Sequence, residues 1–427
     1  MAVVGKLLDR SSAAAETESS AELSASELVR GFKILAITTF SMQITMNLFG
    51  TISSNFFRDE LGMSGALNGY LIAIRELPGF LLIFVAAALL RLGLARATSV
   101  SLLIAGVGFA IFTPIHSFAQ VIIPTLVSSI GYHSWLQLQS ALGLSVAKKG
   151  EEGAVLGRLS GIGFAGGMIA MAAVLAALGA DWWITGNERT HQGPILRSAW
   201  VVAGAAAIIA AVVVRSFPTS GADRAAARSA PRITWRRQYR LYYLLTFLDG
   251  SRQQIYFAFA PFVLVEHFNL NAFYLTSILI AAAVINWRMG AVIGRFVDLK
   301  GEKRVLMVGY MLHLLVFIGF ALAPNVWLAA VAYLGYNFLS LFSIGTTTYL
   351  KKICLREDLA PSLAMGVSLS HLTAIVVPVV GAALWTRLGY QFPFLFGTIF
   401  VVMSLIATQK IDVARQMMED FIARALV

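Results

Sequence analysis

GRFVDLKGEKR, Gly294 to Arg304, joins two long apolar segments in the second half of a 427-residue chain. Four of its residues fit the pattern G-x-x-x-D-x-x-G-x-x-R, namely Gly294, Asp298, Gly301 and Arg304, with Arg295, Lys300 and Lys303 among them. Each residue type has a physical use in a tight turn between helices. Gly294 permits close helix contact, Gly301 permits a positive φ, and Asp298 can accept hydrogen bonds from turn amides. So much Lys and Arg in a short connection places it on the cytoplasmic face of a membrane. A plain basic loop would account for the charge but not for four residue types at this spacing.

The segments on either side belong to a chain that is 58% hydrophobic and only 13% charged, where soluble domains average about 25% charged. One aqueous core cannot hide that much apolar surface, so the fold class is all-α integral membrane. Twelve apolar segments follow at about 33–56, 65–90, 97–117, 120–145, 157–180, 197–215, 240–265, 272–297, 303–323, 326–350, 362–386 and 390–409. Each approaches the roughly 20 residues a helix needs to span hydrocarbon. With the N-terminus inside, 26 Lys and Arg fall in cytoplasmic regions, and the outer loops hold Arg58, Arg189, Arg197 and Arg387. That asymmetry predicts a multi-pass protein of the cytoplasmic (inner) membrane with both termini inside. It also accounts for the net charge of +11 without nucleic acid, since the excess lies beside anionic headgroups. Cys354 is the single cysteine, so no internal disulfide forms.

Residues 1–32 lack the compact apolar core of a signal peptide and read as a cytoplasmic tail. The stretch 216–239, rich in Pro, Gly, Ala and Arg, reads as a cytoplasmic linker between six-helix halves at 33–215 and 240–409. Residues 410–427 alternate apolar and charged positions at helical spacing, as a tail lying on the inner membrane surface does. A weak repeat supports the two halves: an offset of 208 residues puts Gly93 on Gly301 and Arg96 on Arg304. Ala86 and Leu90 fall where Gly294 and Asp298 stand, so the first copy is eroded.

The Gly294 to Arg304 stretch resembles the loop signature of the major facilitator superfamily of secondary transporters. The resemblance covers about residues 33–409. It is reinforced by Pro378 and Gly381 in VPVVGAALW, and more weakly by Gly157 and Gly166, where Ala170 and Met171 replace the Gly-Pro seen in the family's antiporters. It implies twelve transmembrane helices in two pseudo-symmetric six-helix bundles that rock about a midplane site. It further implies that helices one, four, seven and ten line the path. Here those helices carry Gln43 and Asn47; His133, Gln137 and Gln139; Asp249, Arg252 and Gln253; and Tyr333, Tyr336 and Asn337.

Charge inside a membrane is costly, so each ionised group there needs a partner or a watery cavity. Five occur: Arg75 and Glu76 on helix two, Asp249 and Arg252 on helix seven, and Arg288 on helix eight. Glu76 and Asp249 are the candidates for proton coupling, and a fixed ion pair explains either acid equally well. Asp249 and Arg252 are i,i+3 and share a helix face. Adjacent Arg75 and Glu76 point about 100 degrees apart and should find different partners. Arg288 and His371 lie at similar depth to Asp249 and are candidates for ion pairing or gating. Surplus Arg favours an anion, because guanidinium matches carboxylate or phosphate with paired hydrogen bonds. The chain shows no phosphate-cradling loop, no metal-ligand spacing and no hydrolase triad, so neither a cofactor nor enzymatic activity is expected.

The resulting expectation is a secondary transporter working by alternating access, coupled to protons, with a small organic anion as solute. Its substrate-binding candidates are Gln43, Asn47, Arg75, His133, Gln137, Arg252, Gln253, Tyr336 and Asn337. Two alternatives fit the same residues: a proton-antiport exporter of lipophilic or cationic compounds, and a transporter-like sensor or assembly factor without turnover. A monomer is the default oligomeric state.

Overall fold

A computed structural model describes residues 23–80, 92–148, 151–186, 192–218 and 235–413. Most of the expected surface tail, linker and N-terminal tail lies outside these residues, as do Ala86 and Leu90. In the first half run α1 (Ala25–Asn55), α2 (Gly65–Phe80), α3 (Leu94–Ile111), α4 (Phe118–Ser145), α5 (Glu152–Thr185) and α6 (Gly193–Val214). The second half has α7 (Arg240–Glu266), α8 (Ala272–Lys300), α9 (Glu302–Ala321), α10 (Val326–Ser340 continuing through a 3₁₀ turn into Ile344–Ile353), α11 (Arg356–Leu388) and α12 (Gln391–Thr408). Among the described residues, α3, α5, α6 and α8 through α12 are long and apolar enough to cross a membrane. The other four, α1, α2, α4 and α7, are the helices that hold Gln43 and Asn47, Arg75 and Glu76, His133, and Asp249 and Arg252.

The 208-residue repeat reappears in backbone geometry. Gly93 caps α3 at φ 77 and ψ 155, and Gly301 caps α9 at φ 79 and ψ 154. Both conformations favour glycine, whose missing Cβ removes the clash that other residues suffer at positive φ. The same offset relates Ser117 to Asn325, whose side chains accept from Gln120 N and Leu328 N at the starts of α4 and α10. Two halves of one sequence that cap equivalent helices alike are two copies of one bundle.

Two readings of the signature stretch are corrected. It is not a loop: α8 stays helical through Lys300, because Gly301 alone turns the chain and nothing upstream has to unwind. Gly294 makes no close helix contact, since a Cβ built there meets nothing within 4 Å, and Asp298 and Arg304 are exposed.

Each half has its own core. The first gathers around Trp200 on α6, whose ring stacks on Phe112 at 4.4 Å and also meets Phe49, Phe56, Phe57 and Phe109. The second gathers around Tyr256 on α7, stacked on Tyr336 at 3.6 Å and ringed by Phe317, Phe320 and Phe394. Between the halves, α2 packs along α11 and α5 along α8. Most hydrogen bonds across this seam sit at the end where α1 leads to α2 and α7 to α8. Asn55 donates to Leu270 O at 3.2 Å, Gly65 N to Glu266 Oε2 at 2.6 Å, Asn68 to Ala258 O at 2.6 Å, and Ala272 N to Gln192 Oε1 at 3.2 Å. That end of the molecule is shut. At the other end of α4, Leu136, Gln137, Ser140, Ala141 and Leu144 are exposed.

Candidate functional site

Three groups of polar side chains stand out among the described residues of the membrane helices. The deepest across the seam is built on α2, about 16 Å along the helix from Gly65. Pro78 removes one rung from the helical ladder there, and Ser129 of α4 donates its hydroxyl to the nearby carbonyl of Arg75. One turn further along α4, His133 turns Nδ1 toward Ser129 O at 3.0 Å and presents Nε2 to Glu76 Oε2 at 3.3 Å. From the opposite half, His371 of α11 presents Nδ1 to the same Glu76 oxygen, also at 3.3 Å. Arg75 and Glu76 do reach each other, against the expectation from their angular separation: Nη1 lies 3.6 Å from Oε1, because the long guanidinium stem bends back along the helix. The Arg75 guanidinium also lies over Phe49 at 4.7 Å, with Tyr132 and Phe257 beyond. The sequence shows no metal-ligand spacing, yet folding brings one ligand atom from each of Glu76, His133 and His371 to within 4.8 Å of one another. Three helices supply them, so linear spacing carried no trace of the cluster.

The second group lies inside the C-terminal bundle. Asp249 pairs with Arg252 one turn along α7 and receives Tyr310 Oη at 3.0 Å from α9 and Thr346 Oγ1 at 3.1 Å from α10. Arg252 donates to Ser404 of α12 at 2.6 Å and sits over the Tyr310 ring at 4.4 Å. These contacts point Arg252 away from the seam. Tyr336 is buried against Tyr256, and Asn337 donates to Tyr333 O at 2.8 Å in its own helix. Arg288, the remaining membrane arginine, is exposed with its guanidinium 5.5 Å from the Trp287 ring.

The third group lines a cavity of about 380 Å³ between α1, α5 and α8. Gln43 and Asn47 come from α1, Ser160, Phe164, Met168 and Met171 from α5, and Ala283 and Asn286 from α8. Asn47 donates to Gln43 O at 2.9 Å and to Gln43 Oε1 at 3.3 Å, which fixes the two amides as a pair. Phe164 stacks on Trp287 at 6.3 Å and joins α5 to α8 beside the cavity. No charged side chain lines it. Gln137 and Gln253 are exposed and do not reach it. Of the nine substrate candidates, only Gln43 and Asn47 line this cavity, while Arg75 and His133 share the Glu76 cluster. Asn286 and Ser160 were missed because the implied path excluded helices five and eight. An amide in the apolar run of α8 was the available signal.

A sequence model of the Major Facilitator Superfamily matches residues 35–350. The chain belongs to that superfamily. It is accordingly a multi-pass membrane transporter and not an enzyme. Solved superfamily structures share its architecture. The nucleoside transporter NupG superimposes with a TM-score of 0.68 at 15% identity, covering 90% of this chain and 100% of its own. A bacterial homologue of the human lysosomal transporter Spinster, inward-facing and occupied, gives 0.65 at 14% identity over 92% and 97% of the two chains. A D-xylose–proton symporter gives 0.65 at 14% identity over 90% and 97%. At such identities the likeness concerns the fold alone. No curated protein matches the chain in sequence.

Proposed function

We propose that this superfamily member is a secondary transporter of an uncharged, polar organic solute, bound in the cavity between α1, α5 and α8. The observation that carries the reading is the lining itself: amides of Gln43, Asn47 and Asn286 and the Ser160 hydroxyl, set among Phe164, Met168 and Met171, with no charged group. Such a wall offers hydrogen bonds and an apolar face, and gives an ion nothing to offset its lost hydration. The anion expectation rested on surplus arginine. Arg252 is held by Asp249, Arg288 is exposed, and Arg75 lies against Glu76 and Phe49. The nucleoside and D-xylose carried by two structural neighbours are neutral and rich in hydroxyls, which makes them the first solutes to try.

In this reading residues 33–215 and 240–409 rock against each other, with 216–239 as the tether. The Lys and Arg asymmetry supports an inner-membrane protein with both termini cytoplasmic, so the shut end faces outward and the solute has access from inside. Coupling, expected at Glu76 or Asp249, falls to Glu76. Its partners His133 and His371 belong to different halves and must separate when the halves move, whereas Arg252, Tyr310 and Thr346 all move with Asp249.

The test is counterflow in proteoliposomes with a nucleoside, a pentose, a dicarboxylate and a lipophilic cation, each with and without an imposed pH gradient. A neutral solute should exchange, and Asn47→Ala and Asn286→Ala should each raise its KM about tenfold, the cost of a lost buried hydrogen bond. Glu76→Gln should abolish the pH response and Asp249→Asn should keep it. Exchange of the dicarboxylate or the cation alone would overturn the solute class, and binding without exchange would favour the sensor alternative.

A further inference from the structure

We propose that Glu76, His133 and His371 form a site for a divalent transition-metal ion of the zinc class, which clamps the two halves together. The argument starts from the His133 tautomer. Its Nδ1 lies 3.0 Å from Ser129 O and 3.0 Å from Ser129 Oγ. The Ser129 hydroxyl proton is already directed to the Arg75 carbonyl, so both partners of Nδ1 are acceptors and Nδ1 carries the ring proton. When the ring carries only that proton, the Nε2 lone pair faces a carboxylate oxygen at 3.3 Å, and a second imidazole nitrogen lies 3.3 Å from the same oxygen. A metal ion placed between the Nε2 lone pair and the carboxylate satisfies both, as a shared proton does, and only the metal also engages an Nδ1 lone pair of His371.

The dimensions suit a metal. Zinc bound tetrahedrally at about 2.0–2.2 Å by nitrogen and oxygen keeps its ligand atoms about 3.3–3.6 Å apart. The two Glu–His separations are already 3.3 Å, and a small rotation of His371, whose side chain is 19% exposed, closes the third. The surroundings match as well. Ser129 fixes the His133 tautomer through the distal ring nitrogen, the support that metal-bound histidines require. Gly79, one turn beyond Glu76, clears the space, since a Cβ there would lie 2.7 Å from His133 Cδ2 and 3.0 Å from His371 Cε1. Two imidazoles and one carboxylate suit zinc and its neighbours better than calcium or magnesium, which take oxygen ligands. Arg75, 3.6 Å from the second Glu76 oxygen, offsets part of the carboxylate charge and weakens the binding of a cation there. Three protein ligands leave a fourth position for water.

Because Glu76 and His133 belong to the first half and His371 to the second, bound metal favours the state in which α2 and α11 touch. Metal binding is thus predicted to stabilise this state and slow exchange of solute. The inference concerns metal binding and stands whether or not the solute class proposed above is right.

The experiment uses the full-length protein in detergent, purified without a histidine tag and stripped with chelator. Zinc is titrated by calorimetry and by thermal shift, and cobalt is added to read the visible bands of a tetrahedral site. The expected result is one zinc per chain with a raised Tm and tetrahedral cobalt bands. His371→Ala should weaken zinc at least tenfold while leaving the metal-free Tm near that of the parent. A variant with His116, His191 and His267 all changed to Ala, outside the cluster, should bind as the parent does. Absence of saturable zinc binding to the parent, or equal binding by His371→Ala, would overturn the proposal. If His371→Ala fails to fold, His371→Asn serves in its place, and retained cobalt bands in that variant refute the site.

Discussion

A methyl group at position 65 should open the shut end of the transporter without unfolding it. Gly65 begins α2 with its N–H on Glu266, and a Cβ there would lie 2.3–2.6 Å from three ring atoms of Trp385 on α11. Carbon atoms pack at about 3.5–4.0 Å, so the overlap exceeds about 1 Å. The Trp385 ring is braced by Phe259 and Tyr390 and cannot simply swing aside. Overpacking of this kind costs about 1–3 kcal/mol. Only the state with α2 on α11 pays it, so the balance between closed and open seams should shift by about 5–150-fold. Gly131 on α4 provides the contrast. A Cβ there would lie 2.3 Å from Ala105 N and 2.4 Å from Ser101 O, backbone atoms of the same half that stay in place however the halves rock. Gly131→Ala should therefore lower Tm and leave the seam balance alone. The assay places a thiol at Ala66, 7% exposed at the shut end, by Ala66→Cys in a Cys354→Ser background. Labelling by a membrane-impermeant maleimide then follows the open fraction. Gly65→Ala should label several-fold faster at near-parental Tm. An unchanged labelling rate, or a loss of Tm as large as that of Gly131→Ala, would refute the picture of two rigid halves meeting at a mobile seam.

Further outcomes follow from local geometry. Asp249→Asn or Arg252→Leu alone leaves a buried charge without its partner and should cost about 3–5 kcal/mol, seen as a large fall in Tm, while the double variant should recover most of it. Gly301→Ala and Gly93→Ala each force a side chain into a positive φ and should each cost about 1–2 kcal/mol, and unequal losses would argue against equivalent turns. Glu27 precedes the apolar stretch of α1, and the Ser24 backbone N–H and hydroxyl hold its carboxyl below the usual carboxylate range. A lowered folded-state pKa adds stability above the unfolded pKa that is lost as pH falls through the folded value. Amide exchange at Leu28 should therefore accelerate on acidification through the carboxylate range, and Glu27→Gln should remove that pH dependence.

Local features were legible before folding was considered. The pairing of Asp249 with Arg252 follows from i,i+3 spacing, the positive φ of Gly301 from its residue type, and the equivalence of Gly93 and Gly301 from the repeat. The close packing expected at Gly294 did not appear, because whether a small residue meets a neighbouring helix depends on how the two helices cross.

The sequence by itself determined the solvent, the number of helices and their division into halves. Hydropathy acts residue by residue, and lipid imposes its length scale on any chain that enters it. Tertiary structure alone decided which polar groups share the seam. Glu76 and His371 stand 295 residues apart, and their meeting depends on how two independently packed bundles turn toward each other. The same rotation left Gln43, Asn47 and Asn286 around an uncharged cavity, while packing within the second bundle buried Arg252 against Ser404. Helix spacing along one chain cannot encode that rotation, because side chains packed between separate helices set it.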